Sequence, residues 1–273
     1  MAEMFFETQR GHVVLIGIQL ASLQMPFKKA LYTAARLGAK GVEIDARNML
    51  PREQLGRTGL RQLRKMLEDL DLRICAIGFR TRHAYSVTDG LDRRVEATKK
   101  TLQLAYELGA SVVINQIGQV PEPDTDPWRL LIEVLDDLGR HGQRVGALLA
   151  AETGTEDGKE LAQLIKAVPN GGIGVNFDPG NLIINGFSPR DALKDLGLSI
   201  LHVHAKDGVR DLAQGRGLEV PLGRGIADFP NLLGTLEEYN YQGYMTIERE
   251  QCQDPVAEIS AAVDYLRTLN PGC

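Results

Sequence analysis

The sequence has few cysteines, no long apolar segment and no excess of positive charge, and each shortage excludes a class of protein. Its cysteines, Cys75, Cys252 and Cys273, lack C-x-x-C spacing, which argues against a disulfide framework and against a zinc knuckle. The start, MAEMFFETQRGH, does not resemble a secretory signal, and no later apolar run approaches the ~18 residues that span a bilayer. A net charge of −5 at pH 7 offers no positive field for a phosphate backbone. We therefore expect a cytoplasmic protein that binds neither membranes nor nucleic acid.

Strand-like apolar segments alternate with amphipathic helical segments along the whole sequence. The segments with the pattern of buried strands are 13–19, 41–45, 72–78, 111–116, 145–152, 173–178, 199–204 and 244–248. Segments with helical periodicity follow each of them, at 26–37, 57–70, 90–108, 127–141, 156–167, 189–196, 227–239 and 255–268. This alternation predicts an α/β fold in which crossover helices join the strands of a parallel sheet.

Eight such pairs without a linker predict a single domain over residues 1–273, a closed (β/α)8 TIM barrel. An open doubly wound sheet is the alternative, but it would leave two edges to protect. Its dinucleotide-binding form has little support, because no G-x-G-x-x-G follows the first strand. Two helix-to-strand joints, AARLGAKGV at 34–42 and AYELGASVV at 105–113, repeat one pattern with glycine at the left-handed end of the helix. Gly142 is likewise predicted to end the helix at 127–141.

Polar residues end the last four predicted strands. In a barrel, the carboxyl ends of the strands and the loops after them meet at one mouth, where active sites form. The residues at these ends are Glu152, Asp178, His204 and Glu248. Asp178 lies 26 residues after Glu152 and 26 before His204, as expected for one level of successive strand and helix units.

A single carboxylate at a strand end is more often a loop cap or the partner of an arginine than a metal ligand, and Asp178 before Pro-Gly can simply open a turn. The four residues together favour a site. Three converging carboxylates without a cation would repel one another and be partly protonated. Glu152, Asp178, His204 and Glu248 are therefore predicted to bind one divalent metal ion, Mn²⁺, Mg²⁺ or Co²⁺, with Zn²⁺ also possible.

Other polar residues near these strand ends have two interpretations each. His202 faces the same side of its strand as His204, and we predict a buried, hydrogen-bonded core role for it. Lys206 either polarises a substrate carbonyl or pairs with Asp207. His83 either lines the pocket or lies on a surface loop. The long loop after the seventh strand is either a solvated glycine-rich loop or a substrate-binding one, in which Arg210, Arg216 and Arg224 meet substrate oxygens.

Five motifs in order give the sequence a family resemblance over nearly its whole length. They are AAETG at 150–154, VNFDPGN at 175–181, HVHAKD at 202–207, PLGRGIADF at 221–229 and YMTIERE at 244–250. With them the sequence resembles the xylose isomerase-like barrels, which include sugar isomerases, ketose 3-epimerases, inosose dehydratases and endonuclease IV. Each motif alone is weak, and the motifs name no substrate.

The resemblance implies one divalent ion held by the four strand-end residues, with Glu152 and Glu248 as acid and base across a bound sugar. It also implies that Arg210, six residues after the metal histidine, contacts substrate. One departure stands out, because the epimerases and endonuclease IV have histidine where this sequence has Asn181. Asparagine can hydrogen-bond a hydroxyl group, but it cannot titrate near neutrality or complete a zinc cluster.

The leading functional prediction is a metal-dependent isomerase or epimerase of a small sugar or hydroxy-carbonyl compound, acting through an enediolate by proton transfer next to a carbonyl. The nearest alternative is an inosose dehydratase-like lyase, which shares the first step. An endonuclease IV-like repair enzyme is disfavoured by Asn181 and by the acidic charge. A sugar-binding barrel without turnover is the third class, and a homo-oligomer remains possible.

Overall fold

The computed structural model describes residues 15–50, 56–211 and 215–269. The strands are β1 (Leu15–Gln19), β2 (Gly41–Asp45), β3 (Arg73–Gly78), β4 (Val112–Asn115), β5 (Leu148–Glu152), β6 (Ile173–Phe177), β7 (Ile200–Ala205), β8 (Asp207–Val209), β9 (Leu218–Val220) and β10 (Tyr244–Ile247). The α-helices are α1 (Phe27–Leu37), α2 (Arg57–Asp69), α3 (Leu91–Glu107), α4 (Asp126–Val145), α5 (Gly158–Ala167), α6 (Pro179–Ile184), α7 (Pro189–Leu196), α8 (Phe229–Glu238) and α9 (Pro255–Leu269).

Eight parallel strands close into a barrel in the order β1, β10, β7, β6, β5, β4, β3, β2. Closure depends on β1, which pairs with β2 on one side and with β10 on the other. Ile18, for example, lies opposite Val42 of β2 and Ile247 of β10. The predicted (β/α)8 TIM barrel and its eight strands are confirmed, although residues 13 and 14 of the first predicted strand lie outside the described residues. The assignment of all of 1–273 to this one domain remains a prediction for the same reason.

The two long connections near the mouth contain structure that the sequence pattern does not predict. Helix α6 follows β6 directly, and it begins with Pro179. In the loop after β7, strands β8 and β9 form an antiparallel hairpin in which Asp207 lies opposite Val220. This part of the loop is therefore not a purely solvated glycine-rich segment.

The repeated joints end as predicted, whereas α4 does not. Gly38 and Gly109 have φ of 88° and 80°, the left-handed region that glycine adopts without a steric penalty. Helix α4 continues past Gly142 to Val145 and ends at Gly146, so the predicted end at Gly142 is wrong. A Cβ atom at Gly142 would lie 2.6 Å from the carbonyl oxygen of Ala147, so this glycine permits the helix to pack against the next strand.

The main apolar core lies between the barrel wall and the helices, where side chains such as Ile18, Leu102 and Phe229 are fully buried. A second, small cluster of Ala76, Val112, Ile114 and Ala150 packs separately from this core. The buried polar residues at the strand ends lie next to this apolar interior. Among the described residues, every helix is too short or too polar to cross a bilayer.

Candidate metal centre

The four strand-end residues lie together at the barrel mouth. Glu152 ends β5, Asp178 follows β6, His204 lies in β7 and Glu248 follows β10. All four are buried, and each places a potential ligand atom within 4.8 Å of those of the others. The imidazole Nδ1 of His204 is 3.1 Å from Glu152 Oε1 and 3.0 Å from Glu248 Oε2. One imidazole nitrogen therefore faces three carboxylates at distances suited to a shared cation.

Asp178 is both a helix cap and a candidate metal ligand, the two roles that its sequence context allows. Its Oδ1 accepts a hydrogen bond of 2.8 Å from the backbone N–H of Asn181, so it caps helix α6. Its Oδ2 faces His204 Nδ1 at 3.7 Å. The hydroxyl of Thr153, next to Glu152, accepts a hydrogen bond from the Asp178 N–H at 2.8 Å and fastens β5 to the end of β6. The turn and the site thus use different oxygens of one carboxylate.

Glu43 of β2 fixes the orientation of the His204 ring. Its Oε2 is 2.7 Å from His204 Nε2, so Nε2–H donates to the carboxylate and Nδ1 faces the centre. A buried carboxylate behind a ligating histidine is the usual partner that fixes the tautomer and the ring orientation. Burial alone would lower the pKa of His204, but Glu248 and Glu43 hold it well above its usual range. The carboxylates around this ring therefore favour a positive charge at the centre.

Glu248 is held by donors from β1, from the segment after β3 and from the residue after β7. Its Oε1 accepts hydrogen bonds from Gln19 Nε2 at 2.9 Å and from Arg80 Nη2 at 3.2 Å. Lys206 Nζ lies 3.6 Å from its Oε2. Burial alone would raise the pKa of Glu248, but the charges of His204, Lys206 and Arg80 hold it well below its usual range. Glu248 is therefore ionised at neutral pH.

Two buried oxygens in this cluster have no hydrogen-bond partner among the described residues, namely Asp178 Oδ2 and Glu248 Oε2. Both face His204 Nδ1, at 3.7 Å and 3.0 Å, and the amide Nδ2 of Asn176 lies 3.0 Å from the same nitrogen. Burial raises the pKa of Asp178 to about 6, against the opposing effects of Lys206 and His204. Unpartnered buried carboxylate oxygens are costly, and a cation between them would satisfy both. The residues present therefore fit a divalent metal ion.

Lys206 points into the cluster and does not pair with Asp207, so that alternative is wrong. Its ammonium contacts Glu248 and, at 3.4 Å, Glu250. Burial alone would lower the pKa of Lys206, but Glu248, Asp178 and Glu250 hold it above its usual range, so the side chain stays charged. A Cβ atom at Gly180 would lie 2.6 Å from Lys206 Cγ, so the glycine of the FDPGN motif leaves room for the lysine stem.

Asp207 instead organises the base of the β8 to β9 hairpin. Its two carboxylate oxygens accept four backbone hydrogen bonds, from the N–H groups of Gly208, Gly223, Gly225 and Ala227. A Cβ atom at Gly225 would lie 2.0 Å from Asp207 Oδ1, which explains why glycine stands there. The side chain is buried, so its role is to fix the loop.

His202 is buried as predicted, but it lacks the predicted hydrogen bonding at one ring nitrogen. Its Nε2 has no hydrogen-bond partner among the described residues. The ring contacts that of His204 edge to face, with centroids 5.7 Å apart. Burial lowers its pKa well below the usual range, so the ring is neutral. Glu43, His202 and His204 also form a group of possible ligands, next to the main one.

The remaining predicted contact residues lie farther out. His83, Arg210 and Arg224 are exposed, and the Arg210 guanidinium donates to the carbonyl oxygen of Gly186 at 3.3 Å. Asn181 is half-buried beside Gly154, in the first turn of α6. The structure therefore brings Lys206 to the cluster and places His83, Arg210 and Arg224 at the surface, and substrate binding by these residues stays a prediction.

Sequence reasoning did not assign a role to several other residues whose side chains contact the cluster. They are Gln19, Glu43, Arg80 and Gln116, in or just after strands β1 to β4, and Asn176 of β6, whose Nδ2 is 3.0 Å from His204 Nδ1 and 3.4 Å from Glu152 Oε1. Gln116 Nε2 donates to Glu152 Oε2 at 2.9 Å, and Gln19 Nε2 joins Glu43 Oε1, at 3.2 Å, to Glu248. The signal that identified the metal ligands, a polar residue at the carboxyl end of a strand, also marks Gln19 and Gln116, but it does not mark Glu43 and Asn176, which lie inside their strands.

A cavity of about 360 Å³ opens beside this cluster, and we call it the β1–β3 cavity. Its lining comes from the ends of β1, β2 and β3 and the segment after β10, with Gln19, Glu43, Arg80 and Glu250 nearest the cluster. A cavity of this size can hold a small organic molecule.

Comparison with known proteins agrees with this geometry. The sequence profile of the xylose isomerase-like TIM barrel matches residues 31–269, so the chain belongs to that family. Inosose dehydratase from Clostridium beijerinckii is 25% identical over 257 residues, which cover 82% of this chain and 82% of that protein. The structure of L-ribulose 3-epimerase superposes with a TM-score of 0.78 at 18% identity, covering 95% of each chain. A xylose isomerase-like TIM barrel protein from Mycobacterium smegmatis, in complex with magnesium, superposes with a TM-score of 0.75 at 21% identity, covering 94% of this chain and 96% of that one.

Proposed function

We propose that the chain is a divalent-metal-dependent enzyme that moves a proton on the carbon next to the carbonyl group of a small sugar or polyol-derived ketone. The observation that carries this proposal is the buried convergence of Glu152, Asp178, His204 and Glu248, with two carboxylate oxygens unpartnered among the described residues. An ion held there is a Lewis acid that stabilises negative charge on the carbonyl oxygen when the neighbouring carbon loses its proton.

The side chains of the cluster divide the remaining work. Glu248 is the candidate base that accepts the proton, and Glu152, which must hold a proton when the substrate binds, is the candidate acid that returns one to the other face of the carbon. Lys206 stays charged beside Glu248, and it contributes positive charge where negative charge develops. If a proton is added to the former carbonyl carbon, the enzyme is an isomerase. If a proton is added to the opposite face of the carbon that lost it, the enzyme is an epimerase.

Dehydration is the second candidate, and the inosose dehydratases among the relatives favour it. Loss of the proton next to the carbonyl is again the first step. A hydroxyl group on the next carbon then leaves as water, with a carboxylic acid of the cluster donating the proton that this hydroxyl requires. The two candidates therefore share the base and the first step, and they differ in the fate of the enediolate.

Deuterium exchange separates these outcomes. The Mn²⁺-loaded chain and an EDTA-treated sample are incubated in D₂O with ketoses and inososes, and products are followed by NMR. We expect metal-dependent exchange at the carbon next to the carbonyl, together with either a rearranged ketose or an unsaturated product. Glu152→Gln and Glu248→Gln should lose this exchange, and the exposed Glu237→Gln should keep it. Metal-dependent binding without exchange or product would contradict the enzyme proposal and leave a sugar-binding barrel.

A further inference from the structure

The segment that follows β10 begins with Glu248, and residues 248–254 form neither helix nor strand. The backbone N–H of Glu248 still donates to the carbonyl oxygen of Ala205 in β7, at 3.3 Å. The next backbone N–H, that of Arg249, donates instead to the Ser22 hydroxyl at 3.0 Å. From Arg249 onward, side chains of other elements therefore hold the backbone of this segment.

Glu219 of β9 accepts the next two hydrogen bonds of the segment. Its Oε1 accepts one of 3.0 Å from the backbone N–H of Glu250, and its Oε2 accepts one of 2.9 Å from the backbone N–H of Gln251. The same Oε2 lies 3.1 Å from Arg249 Nη1, and the Glu219 side chain is only 4% exposed. A carboxylate this deeply buried requires N–H or cationic partners, and these three contacts provide them. Glu219 thus joins the β8 to β9 hairpin to three successive residues after Glu248.

The position of Glu250 affects the metal centre because its carboxylate lies between two cations. Its Oε1 is 2.7 Å from Arg80 Nη2, and its Oε2 is 3.4 Å from Lys206 Nζ. Both cations also contact Glu248, Arg80 at 3.2 Å and Lys206 at 3.6 Å. Displacement of the Glu250 backbone would therefore move the groups that hold a candidate metal ligand. Arg249 and Glu250 also line the β1–β3 cavity, so its wall would move with them.

The hairpin that carries Glu219 is itself attached to the barrel wall. Strand β8 follows β7 after a single residue, Lys206. Asp207, the first residue of β8, lies opposite Val220, the neighbour of Glu219. Its carboxylate accepts four backbone hydrogen bonds at the base of the hairpin. The position of β7 is therefore transmitted through the hairpin to Glu219.

We propose that Glu219 is a positioning residue of the metal centre. By accepting hydrogen bonds from the backbone of Glu250 and Gln251, it holds the segment after β10 where the Glu248 carboxylate faces the ion. This inference rests on the proposed function in so far as that function places a divalent ion on Glu248. It adds a residue that contacts neither the ligand cluster nor the reacting atoms and acts through the segment that it binds.

Glu219→Gln tests this role, because the amide keeps one acceptor and places a donor against the second backbone N–H. We expect amide hydrogen exchange at Glu250 and Gln251, followed by NMR, to become about tenfold faster. Mn²⁺ affinity, measured by calorimetry, should fall about fivefold, less than the roughly 10–100-fold loss for a direct partner of a ligand. Glu219→Asp keeps the charge and two acceptors on a shorter side chain, so it should lie between Glu219→Gln and the wild type. The same two measurements on Glu219→Asp decide the question if the amide variant does not fold.

Glu258→Gln is the matched control. It removes the other carboxylate partner of Arg249, whose Nε lies 2.7 Å from Glu258 Oε2, and it leaves Glu219 in place. We expect its Mn²⁺ affinity to stay within about twofold of the wild type, because a partly exposed ion pair contributes little. An equal loss in Glu258→Gln would overturn the assignment, since the charge of Arg249 and not the backbone hydrogen bonds would then matter. Faster amide exchange in Glu219→Gln with wild-type Mn²⁺ affinity would also overturn it and leave Glu219 a purely structural role.

These outcomes are distinct from failure of the proposed function, because Mn²⁺ titration requires no turnover. A wild-type chain that binds Mn²⁺ without deuterium exchange would contradict the proposed function, and the titration of Glu219→Gln would still decide the role of Glu219. A wild-type chain that binds no Mn²⁺ would contradict both.

Discussion

Strands β5, β6, β7 and β10 differ from strands β1 to β4 in the chemistry that they place at the barrel mouth. The first group carries the candidate ligands Glu152, Asp178, His204 and Glu248. The second group carries mainly donors, and these contact the ligands: Gln19 and Arg80 donate to Glu248, and Gln116 donates to Glu152. Glu43 is the exception, since it accepts from His204.

This difference shows that one half of the barrel concentrates negative charge and the other half supplies most of the donors that orient it, together with Asn176 and Lys206 of the first half. Buried carboxylates that lack such donors would repel one another and take up protons. Each ligand carboxylate has two oxygens, and the contacts from β1 to β4 occupy one oxygen of Glu152 and one of Glu248, leaving the other toward the centre. We therefore expect the largest loss of Mn²⁺ affinity from substitution of a ligand, a smaller loss from substitution of a buried residue that orients a ligand, and the smallest from substitution of an exposed one.

The largest effect is expected from the ligand half. Asp178→Asn keeps an oxygen that can cap α6 and removes the charge that faces the centre. We expect Mn²⁺ affinity to fall by more than the roughly 10–100-fold that follows loss of an outer partner of a metal ligand. Calorimetric titration with Mn²⁺ measures the loss, and thermal unfolding of the metal-free protein serves as the control for folding. Wild-type affinity in this variant would remove Asp178 from the ligand set.

Glu156 shows what burial does to a carboxyl group outside the cluster. It lies in the loop after β5, and burial raises its pKa from 4.5 to about 7, although the Thr155 hydroxyl and the Val120 backbone donate to it. Because the folded-state pKa is raised, the contribution of Glu156 to stability is greatest below pH 4.5, falls as the pH rises from 4.5 to 7, and has decreased by roughly 3 kcal/mol above that range.

Glu156→Gln should remove this loss. Urea unfolding in EDTA at a series of pH values gives the free energy of unfolding of the variant and the wild type. We expect the variant to gain stability relative to the wild type as the pH rises through this window. Glu160→Gln, at an exposed position of the same segment, should show no such gain. If the difference in unfolding free energy between the variant and the wild type does not change with pH, the pKa of Glu156 is not raised by burial.

A smaller effect is expected from Glu43→Gln, which acts on the half that orients the ligands. Both Glu43 oxygens accept hydrogen bonds, one from His204 and one from Gln19, so an amide would place a donor against a donor. We expect Mn²⁺ affinity to fall about 10–100-fold with all four ligands present. Glu237→Gln, at an exposed position of α8, is the control for loss of one charge. Unchanged affinity would show that the ring of His204 is held by other contacts.

The smallest effect is expected at the rim. Gln116 is exposed and donates one hydrogen bond to Glu152 Oε2. Gln116→Ala should weaken Mn²⁺ binding about fivefold, since a single hydrogen bond to a charged group at a wet position contributes on the order of 1 kcal/mol. Gln103→Ala, in helix α3 away from the mouth, is the matched control. An effect as large as that of Glu43→Gln would contradict the ranking of buried over exposed orienting contacts.

Sequence periodicity predicted the fold because strands and helices here follow their own hydrophobic periods. The predicted bounds of β2 agree with the structure, and those of β7 differ by one residue. Helix α6 and the β8 to β9 hairpin were not predictable in this way. The six residues of α6 are too few for helical periodicity, and the hairpin depends on the long-range contacts of Asp207 with Gly223, Gly225 and Ala227.

The candidate site was predictable only in part. The clustering of Glu152, Asp178, His204 and Glu248 follows from one rule, that residues at strand ends converge. Gln19 and Gln116 satisfy the same rule, but a neutral amide is not an expected ligand of this ion, so its position alone does not predict that it donates to Glu248 or Glu152. The partner of Lys206 could not be predicted from the sequence. Backbone N–H groups of the hairpin bind the Asp207 carboxylate, and Lys206 contacts Glu248 instead.

The hydrogen bonds of the Asp207 carboxylate, which we call the carboxylate clasp, make the position of Lys206 independent of the length of the loop that follows it. Because this side chain ties the first residue of the hairpin to the segment 223–227, we expect insertions between β8 and β9 to leave Lys206 in place. A lineage carrying this clasp can therefore remodel the rim through insertions while its reactive groups keep their positions.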